Sequence, residues 1–164
     1  MNNNERFEAP LSFADQKVIP EWIDFNGHMN VAYYLYAFDR CLDVMFNRLG
    51  VGPEQIPESG CSVFTLEAHI NYLREVVEGD PLGITGRLLD FDQKRIHAYF
   101  EMHHGTEGHI VAAMEQIGIH VDMKARKPAA FADGNLRLLE RMMASHKGLP
   151  DPRYAGRAIG IPRS

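Results

Sequence analysis

The stretch Asp24-Phe25-Asn26-Gly27-His28-Met29-Asn30, running into Val31-Ala32-Tyr33-Tyr34-Leu35-Tyr36, decides how the rest of this chain reads. From Val31 to Leu49, apolar residues fall at 31, 34, 35, 38, 41, 42, 45, 46 and 49. That is the i, i+3, i+4, i+7 spacing of one buried helical face. Gly50 then stops the helix, as a residue tolerant of positive φ does. A helix over 31–49 is about 28 Å long, and its apolar content predicts the buried central helix of the domain. Ahead of it, Gly27 supplies a turn and Asn30 an N-cap. An acid, a glycine, an imidazole and an amide are thereby crowded against the positive end of that helix. Its unpaired N–H groups favour developing negative charge.

Working outward, 164 residues predict one domain over 1–164, with a core at about 13–125 and a C-terminal helix and tail at 126–164. The net charge of −5 gives no general affinity for nucleic acid. No apolar run approaches the roughly 20 residues that span a bilayer, so no membrane partner is expected. The start, Met-Asn-Asn-Asn-Glu-Arg, lacks the apolar core of a secretion signal. Two cysteines, Cys41 and Cys61, at no metal-like spacing fit a reducing cytoplasm and predict no disulfide.

Residues 1–10 read as a polar arm with few contacts, and Lys17 to Pro20 as a short strand leading to Glu21, Trp22 and the loop. The segment 50–60, with Pro53 and Pro57, is a connector. Four strand-like runs follow. In the first, Phe64, Leu66, Ala68, Ile70 and Tyr72 alternate with Thr65, Glu67, His69 and Asn71. Leu82–Leu89 is the second. In the third, Ile96, Ala98, Phe100 and Met102 alternate with His97, Tyr99, Glu101 and His103. Ile110–Val121 is the fourth, interrupted by Glu115. Short links at 90–93 and 105–108 imply hairpins and an antiparallel meander. A second helix is expected from an N-cap at Asp133 to about Lys147, then an irregular tail. One long helix plus an antiparallel sheet of about five strands is an α+β fold. A single sheet around one helix leaves an edge and an outer face, which predicts a homodimer or a dimer of dimers.

The order of these elements and the motif Asp24-Phe25-Asn26-Gly27-His28-Met29-Asn30-Val31 resemble the hot-dog-fold acyl-CoA thioesterases of the 4-hydroxybenzoyl-CoA thioesterase type. That family carries the form Asp-x-x-Gly-His-x-Asn-Asn at the start of its central helix. The segment Leu66-Glu67-Ala68-His69-Ile70-Asn71-Tyr72-Leu73-Arg74-Glu75, then Gly79-Asp80, is similar to its second strand and turn. The likeness covers roughly residues 13–122 and departs from the pattern at Val31, where a second Asn is common. A weaker likeness is to the betainyl-CoA thioesterases of carnitine breakdown. The resemblance implies a long helix wrapped by the sheet, hydrolysis of a small acyl-CoA thioester, active sites at a dimer interface, and no metal or cofactor beyond the CoA of the substrate.

In thioester hydrolysis a carboxylate can serve as nucleophile or as base for water, and preorganised N–H donors stabilise the oxyanion. The resemblance gives the first role to Asp24 and the second to the backbone N–H of Val31, a donor that a Val side chain does not remove. Each residue also has a plainer reading. Asp24 alone is equally a loop cap. His28 packs the loop or assists the chemistry. Asn30 is an N-cap first and a substrate or water contact second. Glu67 and His69 read as solvated or dimer-facing, and His103, His104 and His109 as a solvated hairpin. Trp22, Tyr33 and Tyr36 are candidate substrate contacts: aromatic faces attract quaternary ammonium groups, so a ring cluster beside a carboxylate suits a cationic acyl group such as betainyl. The same rings also suit core or interface packing. For the CoA phosphates the candidates are Lys94, Arg95 and, after the last strand, Arg126 with Lys124 and Lys127. Three rivals share the fold, one of them an interaction module that binds no small ligand and keeps only the fold and dimer. A hot-dog dehydratase needs a catalytic His paired with an acid from elsewhere. A non-catalytic acyl-CoA-binding protein needs no carboxylate at position 24.

Overall fold

The computed structural model describes residues 6–161. The helix read from periodicity is α1, Val31–Arg48, with Leu49 as C-cap and Gly50 at φ 72. It buries Tyr34, Ala37, Phe38, Cys41, Leu42, Met45 and Phe46. Val31 and Leu35, expected on the buried stripe, are instead 59% and 43% exposed. They lie in the first two turns, where the chain offers them no cover of its own.

The strands are β1 (Leu11–Ser12), β2 (Gln16–Lys17), β3 (Cys61–Tyr72), β4 (Pro81–Phe91), β5 (Arg95–His104), β6 (Ile110–Asp122) and β7 (Lys127–Pro128). All pair antiparallel in one sheet of order β1-β4-β5-β6-β3, with β2 also on β4 and β7 on β6. The fold is thus α+β, a long helix held in an antiparallel sheet. Phe38 packs 6.3 Å from the ring of Phe100, which lies 5.9 Å from Phe13, so both β5 and the chain entering from β1 close on α1. Gly118 is small for a reason: a Cβ there would stand 2.7 Å from Val63 Cγ1 and 3.8 Å from Phe46 Cζ. The helix α2 (Ile56–Ser59) lies in the connector, and α3 (Asp133–His146) follows the sheet. The Asn135 side chain ties α3 to the end of α1 by donating to Leu49 O and Gly50 O at 3.1 and 2.9 Å. Leu139, Met142 and Phe131 join the same hydrophobic core as Leu11, so that core runs beyond 13–125 at both ends.

Several expectations need correction. The Lys17–Pro20 strand is only Gln16–Lys17, and Pro20–Trp22 is a 3-10 turn. Ala132, not Asp133, holds the N-cap position of α3, and Asp133 is an acid in its first turn, where the helix dipole favours it. The single-face alternation of β3 fails because a bulge between Thr65 and Glu67 adds a residue. Thr65 then pairs with core-facing Gly118 and accepts a hydrogen bond from Gln116, while Phe64 moves to the opposite face and is 50% exposed. The arm is not free of contacts. Phe7 packs on the core, and the Glu8 carbonyl accepts from His146 Nε2 at 2.8 Å; residues 1–5 lie outside the described residues. His104 is buried, with Nδ1 accepting from the Thr106 hydroxyl and the Glu107 amide, because it closes its own hairpin. The irregular tail crosses the outer face of the sheet, where Arg87 donates to Pro150 O and the Gly156 amide to Glu115.

Candidate active site

The segment between the first 3-10 turn and α1 is a miniature hairpin. Ile23 and Met29 form a bridge, the Asp24 amide donates to His28 O at 2.9 Å, and the Gly27 amide to Asp24 O at 3.0 Å. Gly27 has φ 80, a conformation that costs a side-chain-bearing residue more. The loop is anchored at its end: Met29 donates to Val76 O and Asn30 to Trp22 O. The Asp24 carboxylate is half-buried, and its Oδ1 accepts from the Asn26 amide at 2.8 Å. The plainer, loop-capping role is therefore real, and it engages one oxygen and leaves Oδ2 free for another task.

Asn30 is the N-cap, its Oδ1 accepting from the Ala32 amide at 3.0 Å. The Tyr33 amide is taken by Asn30 O. Among the described residues no acceptor meets the Val31 N–H, and Val31 is exposed. A free donor at the positive end of an 18-residue helix thus ends the loop that carries the Asp24 carboxylate. The pair can hold a carbonyl oxygen and deliver a nucleophile or an activated water to its carbon.

Strand β3 brings further groups that local sequence reasoning left out. Because β3 is antiparallel to β6 with Tyr72 opposite Ala112, its last residues return to the start of α1. The Tyr72 hydroxyl donates to Val31 O at 3.3 Å, and its ring meets that of Tyr34 edge-on at 5.3 Å. Glu75 Oε1 lies 3.5 Å from His28 Nε2. A cleft of ≈ 270 Å³ opens here, lined by His28, Met29, Val31, Tyr34, Tyr72 and Glu75, with Leu73 and Arg74 at its rim. Burial pushes the Tyr34 hydroxyl pKa up, and the nearby charges of Glu75 and Asp24 push the same way. Glu75 stands 47 positions beyond His28, and only the register of β3 makes them neighbours. The signal in the sequence was the hydrophilic Arg74-Glu75 directly after a strand aimed at the helix start.

The aromatic candidates cluster on one another. Trp22 and Tyr33 stack at 5.6 Å and 15°, and Tyr36 meets Trp22 edge-on at 6.1 Å. The basic candidates are far off within one protomer. Arg95 pairs with Ile119, and Tyr72 with Ala112, a separation of about 23 Å along β6. Arg126, at φ 53, turns the chain after Asp122, which pairs with Cys61 at the far end of β3. Arg95 is also engaged: its guanidinium and the Lys94 and Arg95 amides hold the Asp92 carboxyl down at about 2. Glu67 and His69 sit on the edge strand with His69 opposite Glu115, on the face away from α1. Burial pushes the Cys41 thiol up to about 12, so it is a packing residue.

Comparison with known proteins decides what this loop and helix belong to. The family model of the Thioesterase-like superfamily matches residues 18–139, a span holding the Asp24 loop, α1 and all the long strands. The chain belongs to the Thioesterase-like superfamily. Among its relatives, the betainyl-CoA thioesterase of Pseudomonas aeruginosa is 36% identical over 152 residues, 93% of this chain and 96% of that protein. The L-carnitine dehydrogenase/betainyl-CoA thioesterase of Rhizobium meliloti is 36% identical over 155 residues, 94% of this chain but only 31% of that longer protein. A Staphylococcus aureus protein solved in complex with CoA superposes with a TM-score of 0.86 at 24% identity, covering 96% of this chain and 100% of that one, which is a likeness of fold. This member of the Thioesterase-like superfamily is a thioester hydrolase with the hot-dog fold. No helix among its described residues is long and apolar enough to cross a membrane.

Proposed function

We propose that this thioesterase hydrolyses betainyl-CoA, with the Asp24 carboxylate as nucleophile or general base and the Val31 N–H as the oxyanion donor. The observation that carries the mechanism is the acceptor-free Val31 N–H at the start of α1, at the end of the Gly27-turned loop that also carries Asp24. The substrate choice is supported by the 36% identity to the Pseudomonas aeruginosa betainyl-CoA thioesterase over nearly the full length of both chains. With the thioester oxygen at the Val31 N–H, Asp24 Oδ2 attacks the carbonyl carbon or takes a proton from the attacking water. The oxyanion that forms is held by the helix end and CoA departs as thiolate; where Asp24 is the nucleophile, water then cleaves the acyl–Asp24 anhydride, releasing the acid and regenerating the carboxylate. The Asn30 cap fixes the first turn, and the His28–Glu75 pair orients the wall of the cleft.

The active unit in this proposal is at least a dimer. Strand β3 is an uncovered edge; Phe64, Leu66 and Tyr72 on it are 50%, 57% and 49% exposed, and Val31 and Leu35 on α1 are exposed as well. Pairing two β3 edges antiparallel would cover these residues and set the Cys61 end of one copy, with Lys94, Arg95 and Arg126, beside the cleft of the other. That arrangement adds basic groups for the CoA phosphates to Arg74, which already lines the protomer's own cleft.

The test is a hydrolysis panel of betainyl-, acetyl-, benzoyl- and 3,3-dimethylbutyryl-CoA, with light scattering on the same sample. The expected result is a dimer or tetramer whose kcat/KM for betainyl-CoA exceeds that for the uncharged isostere by tenfold or more, about 1.4 kcal/mol. Equal rates on the two isosteres would remove the betainyl assignment, and a stable, active monomer would remove the interfacial site.

A further inference from the structure

The rings that look best in the sequence for holding a cation are in the wrong arrangement to surround one. A quaternary ammonium binds over a ring face with its nitrogen within about 6 Å of the centroid, so two rings that sandwich it must leave room for the trimethylammonium group between their faces. Trp22 and Tyr33 are stacked at 5.6 Å, face against face, and Tyr36 closes on Trp22 at 6.1 Å. These rings satisfy each other.

Substrate geometry says where the cation must lie instead. In a betainyl thioester the nitrogen is two bonds from the carbonyl carbon, about 2.5 Å with ordinary C–C and C–N lengths. A carbonyl held at the Val31 N–H therefore leaves the trimethylammonium next to the first turn of α1. That is the ≈ 270 Å³ cleft, where Tyr72 reaches Val31 O and Glu75 stands across from His28. The helix end carries partial positive charge and repels a cation, so anionic groups must offset it there. Glu75 lies in that cleft and Asp24 in the adjoining loop. Arg74 also contributes to the lining, and it is exposed.

We propose that Glu75 and the ring of Tyr72 form the subsite for the quaternary ammonium of the acyl group, and that Trp22, Tyr33 and Tyr36 do not. The assignment rests on the betainyl-CoA function proposed above and adds the residues that read the charge. It is tested by the ratio of kcat/KM for betainyl-CoA to that for 3,3-dimethylbutyryl-CoA, which cancels any loss common to both substrates. Glu75→Gln is expected to lower this ratio about tenfold. Tyr72→Leu is expected to lower it severalfold. Tyr72→Phe, which keeps the ring and removes only the bond to Val31 O, is expected to retain it, and so is Tyr36→Leu. A wild type with no preference for betainyl-CoA overturns the function and the subsite together. A wild type with the preference whose Glu75→Gln and Tyr72→Leu variants keep it overturns the subsite alone, as does loss of the ratio in Tyr36→Leu only.

Discussion

Asn30 is where fold and chemistry can be separated by substitution. Its side chain accepts one hydrogen bond, from the Ala32 amide at 3.0 Å, and it directly precedes the residue whose N–H is free. Asn30→Ala removes the cap, which costs about 1 kcal/mol within a range of roughly 0.5–2. For a chain of 164 residues that is a fall in Tm of about 2–4 °C. Asn30→Asp is the informative partner, because Asp caps as well as Asn does and should hold Tm near the wild-type value. It also sets a carboxylate near the developing oxyanion. At about 5 Å and an effective dielectric of about 20, two such charges repel by about 3 kcal/mol, and the half-open loop screens part of this. A fall in kcat of at least about tenfold follows, at 1.36 kcal/mol per decade. Thermal unfolding reads the first effect, and release of the CoA thiol under saturating substrate reads the second. Asn30→Ala with an unshifted Tm would refute the cap. Asn30→Asp with wild-type kcat would refute an oxyanion at the Val31 N–H.

His146 predicts an acid-sensitive attachment of α3. Its Nδ1 accepts from the Leu88 amide and its Nε2 donates to Glu8 O, and burial pushes its pKa down. The unfolded chain then binds a proton near pH 6.5 that the folded chain refuses, so stability falls as pH drops below about 6.5. Denaturant titrations at pH 7.5 and 5.5 should show this loss, and His146→Gln should reduce it; an unchanged pH dependence would contradict it. Asn135→Ala leaves the Leu49 and Gly50 carbonyls without their side-chain donor. It should cost about 1–3 kcal/mol in the same titration, and a change under about 0.5 kcal/mol, the scale of ordinary surface substitutions, would contradict the tie between α1 and α3.

Periodicity made α1 legible because 18 residues of helix repeat one apolar face often enough to outweigh single exceptions. The strands β4, β5 and β6 were legible in the same way, and the loop before α1 through its glycine and N-cap. Unread features were those set by distant partners. The bulge at Thr65/Glu67 is invisible in β3, whose letters alternate through it, because the extra residue is defined by the register with β6. His104 looked solvated beside Gly105 and Thr106, and it is buried because the hairpin folds its own hydroxyl and amide donors onto the ring. Val31 and Leu35 fit the helical stripe and remain exposed, since no described residue packs over the first two turns of α1 on that side. Within the candidate site, Asp24, Asn30 and the Val31 N–H are consecutive enough to be read together. Tyr72 and Glu75 reach them only through a strand that runs back along the sheet.

The most direct test is turnover by Asp24→Asn. The substitution keeps the acceptor oxygen that the Asn26 amide uses, so fold and assembly should be retained. It removes the charge to which the proposed mechanism gives the attack on the thioester or the activation of water. Saturating kcat on the best acyl-CoA of the panel is predicted to fall by at least about 10², the scale of a positioned base, with circular dichroism and light scattering unchanged. A folded Asp24→Asn enzyme with near-wild-type kcat would contradict the assignment of the reaction to this loop.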